Sequence, residues 1–241
     1  MNRFYVPLSL HVAQSIQLPE NVFHHWTRVL RAKIGEQAIL FNGQGGEYLV
    51  ELNEINKKNA QVHILDYNPI NRTLAFNVTI GLVMSKGDRM DYAVQKSTEL
   101  GVRHIQLLTS ERCEMRLKYD RDQKKIEHWQ GVAIAACEQC GLNIVPQIIE
   151  PTSLEQWVPN VQADLKLVMA LSDGKVNFPK PLPNHIALLI GAEGGLSQAE
   201  IDFTHQHGFQ SWTIGDRVLR TETAPVVALS ILNMLNDINI T

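Results

Sequence analysis

Cysteine is scarce in this chain, and long apolar runs are missing altogether. Three cysteines among 241 residues argue against a disulfide framework and favour a reducing cytoplasm. No apolar stretch approaches the ~20 residues needed to cross a bilayer, and the first residues lack the apolar core of a secretion signal. We therefore expect a cytoplasmic protein and exclude a disulfide-stapled secreted domain and a membrane-spanning protein.

Residues with metal-site spacing are also few. Cys137 and Cys140 are two residues apart, but no second pair of Cys or His follows at zinc spacing. The adjacent His24 and His25 do not complete a metal-ligand pattern with cysteine or carboxylate residues. We expect no metal ion, and a packing role for the two cysteines.

The charge is nearly balanced, with a formal net charge of −3, so the whole chain lacks the basic footprint of a nucleic-acid binder. Its distribution is uneven. Residues 1–35 carry four basic side chains against one acidic, and residues 150–241 carry five against ten. This pattern suits either local contact with a polyanion or an uneven solvated surface.

The first 70 residues are predicted to be rich in β-strand. Short alternating runs separated by turn residues indicate a small barrel, with one helix at 19–30 whose residues Val22, Phe23, Trp26, Val29 and Leu30 share a face. Turn residues cluster at 68–71 and predict the domain boundary there. The strands are predicted at 37–41, 47–52 and 60–65, with a tight turn at Asn42-Gly43.

From residue 74 onward, strands alternate with helices, which predicts a mostly parallel sheet with helices on both faces. Asp88 is expected to cap a helix that stops at Gly101. Ser197 and Glu200 have the spacing of a capping box, and Pro225 suits a helical first turn. The strands are predicted at 76–84, 104–108, 165–171, 186–190 and 211–214, and the helices at 88–101, 120–140, 197–208 and 226–238.

Two glycine turns follow the last strands and dominate the functional interpretation. Gly191–Gly195 lies between a strand and a capped helix, where α/β proteins bind ligands. It has neither the lysine of a P-loop nor the spacing of a dinucleotide turn. The second turn, at Gly215, precedes Arg220 and Glu222. One such turn leaves a purely structural role open, whereas two in tandem favour one ligand site.

These segments closely resemble those of the SPOUT (trefoil-knot) RNA methyltransferases. Within them, the match is to the family that methylates N3 of a uridine in 16S (small-subunit) ribosomal RNA. The likeness extends over nearly the whole chain. The matching segments are Arg3–Val6, His25–Arg31, Phe41–Gly43, Lys86–Asp91, Lys96–Gly101, Ser110–Arg112, Ala136–Gly141, Ile190–Glu200 and Gly215–Ala224.

The resemblance implies a fold, a cofactor and partners. Residues 1–70 would form a PUA-like β-barrel that binds RNA, and residues 71–241 an α/β SPOUT domain with a deep trefoil knot. S-adenosylmethionine would bind among three knot turns, and a homodimer would act on small-subunit ribosomal RNA or the assembled small subunit. The cofactor residues carried over by position are Met169, Leu171, Leu189, Ile190, Gly191, Gly194, Gly195, Ile214, Gly215, Val218 and Leu219.

Methylation of uracil N3 requires loss of its proton and stabilisation of charge on O2 and O4. We hypothesise that Arg220 stabilises this charge and that Glu222, Glu193 or Glu138 accepts the proton. A structural ion pair at a helix start is the competing interpretation of Arg220 and Glu222.

RNA contact is expected from a set of mostly cationic residues, although each alone could be an ordinary surface side chain. The chain also departs from the family, with Leu142 and Ile144 where arginines are common and Ala192 where proline is usual. An RNA-binding ribosome assembly factor with impaired catalysis is therefore the alternative, and an unrelated nucleotide-binding enzyme is disfavoured. The RNA-binding candidates are Arg3, His25, Arg28, Arg31, Lys33, Lys86, Arg89, Arg112 and Gln139.

Overall fold

The computed structural model describes residues 1–113, 119–171 and 176–238. The chain divides into two compact units. The N-terminal unit combines Met1–Thr73 with Cys137–Val145, and the C-terminal unit combines Leu74–Ala136 with Pro146–Thr241. Among the described residues, no helix is long and apolar enough to cross a membrane.

The N-terminal unit is built on a five-stranded sheet with the order β1-β3-β4-β5-β2. β1 runs parallel to β3, and the other neighbours are antiparallel. Alternate apolar side chains such as Phe4, Leu40, Val50 and Ile64 form its core around Trp26, as the period of a half-buried strand requires. The strands are β1 (Asn2–Tyr5), β2 (Ser15–Gln17), β3 (Gln37–Phe41), β4 (Glu47–Ile55) and β5 (Ala60–Asn68).

The helix predicted at 19–30 is present but is not α-helical throughout. α1 spans Glu20–Phe23 and continues as a π-helical segment over His24–Val29. A π-helix holds more residues per turn than an α-helix, so the later positions rotate away from the core. The prediction that Val29 and Leu30 share the buried face is therefore wrong: they are 58% and 45% exposed.

A buried carboxylate ties residues 137–145 to this unit. Glu47 accepts from Arg3 and from Arg72, with nitrogen–oxygen distances of 2.5 and 3.0 Å. Arg3 also donates to Asn143 Oδ1 at 2.6 Å, and both arginines donate to the Gly141 carbonyl. Burial alone would raise the pKa of the Glu47 carboxyl, but hydrogen bonds from Arg72 and Arg3 hold the pKa below its usual value.

We predict that Glu47→Gln lowers the free energy of unfolding by about 2 kcal/mol at pH 7, because two arginines lose their counter-charge. A carboxyl with a lowered folded pKa contributes stability above its unfolded pKa, and this contribution is lost as the pH falls through the folded value. The difference in the free energy of unfolding between the variant and the natural chain should therefore become smaller below about pH 4. Urea unfolding at pH 7, 5 and 3 measures it, with the exposed Glu54→Gln as control. If the difference in the free energy of unfolding were as large at pH 3 as at pH 7, the stabilising role of the ionised Glu47 carboxylate would be contradicted.

The C-terminal unit contains a six-stranded, all-parallel sheet with the order β11-β9-β10-β6-β7-β8. The parallel α/β architecture predicted from the strand–helix alternation is thus confirmed. Its two central strands are mostly apolar, and most of their residues are buried, as expected for strands covered on both faces. The strands are β6 (Asn77–Val83), β7 (His104–Thr109), β8 (Gln147–Ser153), β9 (Leu165–Val168), β10 (His185–Ile190) and β11 (Gln210–Ser211).

Two predicted strands end three residues earlier than expected. The strand predicted at 165–171 ends at Val168, and the strand predicted at 211–214 is reduced to Gln210–Ser211. In both places the chain leaves the sheet earlier than predicted, so these boundaries were wrong. β8 was not predicted, and neither was the helix that follows it. The helices are α2 (Arg89–Glu99), α3 (Tyr119–Cys140), α4 (Leu154–Asn160), α5 (Gln198–Gln206) and α6 (Thr223–Ile238).

The helix caps agree only partly with the sequence. Ser197 and Glu200 form both hydrogen bonds of the capping box at the start of α5, as predicted. Asp88 precedes α2 but has helical backbone angles and makes no side-chain cap bond, so its predicted capping role is wrong. Gly101 ends α2 with a φ of +86°, a conformation that glycine adopts readily.

Candidate functional site

An apolar cavity of about 90 Å³ opens at the carboxyl ends of β9 and β11. Trp212 N–H donates to the Val168 carbonyl at 2.8 Å, and the Thr213 hydroxyl donates to the Ala170 carbonyl at 2.9 Å. These bonds hold the chain after β11 against the chain after β9. The cavity is lined by Met169, Ala170, Leu171, Trp212, Thr213, Ile214, Arg217, Val218, Leu219 and Ala224.

A second cavity, of about 300 Å³, adjoins the first because Val218 and Leu219 line both. Its other walls are charged or polar. Arg89 comes from the start of α2, Glu193 from the turn after β10, and residues 220–222 from the segment before α6. An apolar compartment and a charged compartment therefore share one wall.

The Gly191–Gly195 turn is closed by its own backbone. Gly195 N–H donates to the Ala192 carbonyl at 2.8 Å, and Gly195 has a φ of +67°. Arg112 supports the turn from outside by donating to the Gly194 carbonyl at 2.9 Å. Of the turn's side chains, Glu193 lines the larger cavity. The sequence predicted the turn, but its glycines shape the backbone and do not line either cavity.

Two arginine–glutamate pairs face the larger cavity. Arg220 is 77% exposed and lies 3.9 Å from Glu222 Oε1, while the other oxygen, Oε2, is buried and has no hydrogen-bond partner among the described residues. Arg89 forms an ion pair with Glu193. Burial alone would raise the pKa of Glu193, but a hydrogen bond from its own backbone and the Arg89 guanidinium hold the pKa below its usual range.

Glu138, the third predicted proton acceptor, belongs to the N-terminal unit. One of its oxygens accepts from the Tyr5 backbone N–H at 2.9 Å. Burial raises the pKa of this carboxyl, against the opposing effects of that hydrogen bond and of the His25 and Arg3 charges. Glu138 is thus bound within its own unit, whereas Arg220, Glu222 and Glu193 line one cavity.

Two family models match the chain. An RNA methyltransferase domain matches residues 72–233, and an RNA methyltransferase PUA domain matches residues 18–65. The chain belongs to the RNA methyltransferase family. The resemblance inferred from the motifs is therefore confirmed, including a PUA-like N-terminal region.

Relatives support the same family over nearly all of the chain. Ribosomal RNA small subunit methyltransferase E of Buchnera aphidicola (subsp. Schizaphis graminum) is 34% identical, with 96% of this chain and 95% of the relative covered. The Bacillus subtilis protein of the same name is 31% identical, with 99% and 98% covered.

Solved structures of relatives agree closely with this fold. A methyltransferase from Legionella pneumophila, solved with the bound cofactor SAM, has a TM-score of 0.92 at 38% identity, with 96% of both chains covered. Ribosomal RNA small subunit methyltransferase E from Neisseria gonorrhoeae, bound to S-adenosyl methionine, has a TM-score of 0.91 at 35% identity, with 98% of both chains covered.

The predicted cofactor residues of the methyltransferase fall into two groups. Met169, Leu171, Ile214, Val218 and Leu219 line the apolar cavity. The other group lines neither cavity, and its two apolar members are buried at the end of β10. This second group comprises Leu189, Ile190, Gly191, Gly194, Gly195 and Gly215. The cavity-lining residues that the sequence did not single out are Ala170, Trp212, Thr213, Arg217, Thr221 and Ala224.

The RNA-binding candidates of the N-terminal unit differ in their exposure and in their contacts with neighbouring residues. Arg3 is 13% exposed and is engaged by Glu47 and Asn143. Arg28 lies over the Phe23 ring at 5.5 Å and donates to the Lys57 carbonyl. The exposed candidates of this unit are His25, Arg28, Arg31, Lys33 and Gln139.

In the C-terminal unit, two RNA-binding candidates have partners inside the site. Arg89 pairs with Glu193 and Arg112 binds the Gly194 carbonyl. Lys86 is exposed and precedes α2. Their proximity to the glycine turn could not be predicted from spacing, since 104 residues separate Arg89 from Glu193.

Proposed function

We propose that this chain transfers the methyl group of S-adenosylmethionine to N3 of a uridine in small-subunit ribosomal RNA. The observation that carries the proposal is the shared wall of Val218 and Leu219 between an apolar cavity and a cavity with two arginine–glutamate pairs. Relatives along the whole chain are named ribosomal RNA small subunit methyltransferase E, and two solved relatives hold S-adenosylmethionine.

The residues of the smaller cavity fit the cofactor. An adenine ring has apolar faces, which Leu171, Ile214 and Leu219 can cover, and polar edges, which main-chain groups of the turns can bind. When bound, S-adenosylmethionine supplies a methyl group already activated on a cationic sulfur. The chain must therefore bind and orient the two reactants and remove one proton.

The larger cavity contains the groups that would remove this proton and stabilise the resulting negative charge. Glu222 lines this cavity, and its Oε2 atom has no hydrogen-bond partner among the described residues. We assign the Glu222 carboxylate as acceptor of the uracil N3–H proton. The freed electron pair of N3 forms the bond to the methyl carbon as the sulfur–methyl bond breaks. Arg220 stabilises the negative charge that develops on O2 and O4. Glu193 is neutralised by Arg89, so its role is to hold that guanidinium.

We predict that Gly191→Ala weakens S-adenosylmethionine binding about tenfold. A Cβ at position 191 would lie 3.1 Å from the Gly195 carbonyl carbon and 3.2 Å from the Leu196 nitrogen, so the turn's backbone must move, at a cost of about 1–3 kcal/mol. Calorimetric titration measures the affinity. Gly131→Ala is the matched control, since a Cβ there meets nothing within 4 Å; equal affinities of the two variants would contradict the prediction.

The finer architecture is part of the proposal. We propose an RNA-binding domain over residues 1–70 that closes into a PUA-like barrel, and a knotted SPOUT domain over 71–241. The bonds that hold the chain after β11 against residues 168–170 support the knot. A homodimer is supported by α6, which packs on α2 yet leaves Met234 54% exposed.

RNA would be held by the exposed cations of each unit. Arg28, Arg31 and Lys33 are suited to phosphate contacts, and the exposed Gln139 to hydrogen bonding. We assign Arg3 to the fold, because Glu47 already neutralises it. Leu142 is buried with Phe41 and Cys137, so its apolar side chain serves the core of the N-terminal unit.

Methyl transfer to small ribosomal subunits that lack the modification tests the proposal. Labelled S-adenosylmethionine, purified protein and such subunits should yield 3-methyluridine in the digested RNA, with free RNA assayed in parallel. Binding of both cofactor and subunit without transfer would favour an assembly factor that has lost catalysis. A labelled nucleoside other than 3-methyluridine would contradict the assigned base.

A further inference from the structure

We infer that Arg89 is a specificity-determining residue for uracil, acting with Arg220 and Glu222, and that Glu193 is its positioning residue. The inference rests on the proposed function. It follows from the charged groups that line the larger cavity. Those groups are Arg89 at the start of α2, Glu193 in the turn after β10, and Arg220 and Glu222 before α6.

The pairing edge of uracil presents an acceptor, a donor and an acceptor, namely O4, N3–H and O2. The complementary protein surface presents a donor, an acceptor and a donor. Two guanidinium groups and one carboxylate supply that pattern, and the larger cavity holds Arg89, Glu222 and Arg220. Cytosine would place its amino group against a guanidinium and the N3 lone pair against the carboxylate. Both contacts are repulsive, so the same groups reject cytosine.

The ion pair with Glu193 explains how the guanidinium of a surface arginine, Arg89, can be held in a fixed position. An arginine side chain loses conformational entropy when a ligand fixes it. A guanidinium that an ion pair already holds loses less of this entropy on binding. The guanidinium has five N–H donors, and the ion pair with Glu193 uses Nη1. Glu193 is held in turn by a glycine-bounded segment that Arg112 supports through the Gly194 carbonyl. The Gly191–Gly195 turn and the Arg89 guanidinium are thus joined by the ion pair with Glu193.

A phosphate contact is the competing role for Arg89, and the two roles differ in kinetics. A guanidinium that stabilises the uracil anion lowers the barrier of the chemical step. Its loss should matter less as the pH rises, because the N3 proton then dissociates without help. A phosphate contact affects binding at every pH, and its loss reduces the salt dependence of RNA affinity.

The experiment compares Arg89→Ala, Arg89→Lys and Glu193→Gln with the natural chain between pH 6.5 and 9.5, using unmodified small subunits. Lys124→Ala, which removes an exposed charge from α3, is the control. For Arg89→Ala we expect kcat to fall about 100-fold at pH 7, with the deficit shrinking as the pH rises and cofactor affinity unchanged. Arg89→Lys and Glu193→Gln should show smaller deficits with the same pH trend, which preserves the test if Arg89→Ala does not fold.

A deficit that is constant with pH, or one confined to KM with a reduced salt dependence, would overturn the inference in favour of phosphate binding. So would activity of Arg89→Ala equal to that of Lys124→Ala. These outcomes leave the proposed function standing, because the natural chain remains active in them. Absence of transfer by the natural chain at every pH would instead overturn the proposed function and this inference together.

Discussion

Arg220→Ala should reduce the turnover of methyl transfer by about 10²–10³-fold, the usual loss when one fixed donor to a developing oxyanion is removed. Arg220 is 77% exposed, and its side chain lines the larger cavity and not the smaller one. The affinity for S-adenosylmethionine should therefore stay within about twofold, since the apolar cavity is untouched. Single-turnover rates and calorimetry measure the two quantities separately.

Arg217→Ala is the matched comparison for Arg220→Ala, because Arg217 lines the smaller cavity. Its main effect should be on cofactor affinity. If Arg220→Ala showed nearly normal turnover, the residue would be a structural partner of Glu222 at the start of α6, and its assignment to charge stabilisation would be wrong.

Glu222→Gln should have an effect of similar size, with turnover reduced about 10²–10⁴-fold, as expected for loss of a general base. The substitution keeps the size of the side chain but removes its capacity to accept a proton. Glu222 is 16% exposed, and its Oε2 atom is buried without a partner among the described residues. An amide at that place can still pack, so the fold and the cofactor affinity should persist.

The comparison that isolates Glu222 is Glu193→Gln. The Arg89 guanidinium already neutralises Glu193. Glu193→Gln should therefore reduce the turnover less than Glu222→Gln does, at every pH. A larger loss in Glu193→Gln would reverse the two roles. Equal small losses in both would indicate that the proton leaves by way of water and not through either carboxylate.

Parts of the fold follow directly from local sequence. The capping box of Ser197 and Glu200 forms as predicted, because both of its hydrogen bonds depend on neighbouring residues only. The parallel sheet follows from strands with long apolar runs, such as the last five residues of β10, which must be covered on both faces. Such features are set by residues close together in the chain.

Other parts depend on contacts between distant residues. At the early end of β9, the Val168 and Ala170 carbonyls accept hydrogen bonds from Trp212 and Thr213, which lie more than forty residues later in the chain. Nothing in the apolar pattern of 165–171 indicates where the sheet ends. The π-helical turn after Phe23 is equally hidden, because it changes the register of the helix and not its apolar content.

The candidate site shows the same division. The two glycine turns and Arg220 with Glu222 could be recognised from their order in the chain. The engagement of Arg3 by Glu47, and of Arg89 by Glu193, could not. The sequence does not distinguish the cationic side chains that are engaged by a carboxylate from those that are not. Their partners in the fold determine which of them remain available to bind phosphate.

The most direct test of the whole account is calorimetric titration of the purified chain with S-adenosylmethionine. We expect saturable binding of one molecule per chain. In Leu171→Ser this binding should be about tenfold weaker, because part of an apolar face is lost. Leu171 is 64% exposed, so this change should leave the fold intact. The absence of any heat of binding, with this molecule or with S-adenosylhomocysteine, would contradict the account.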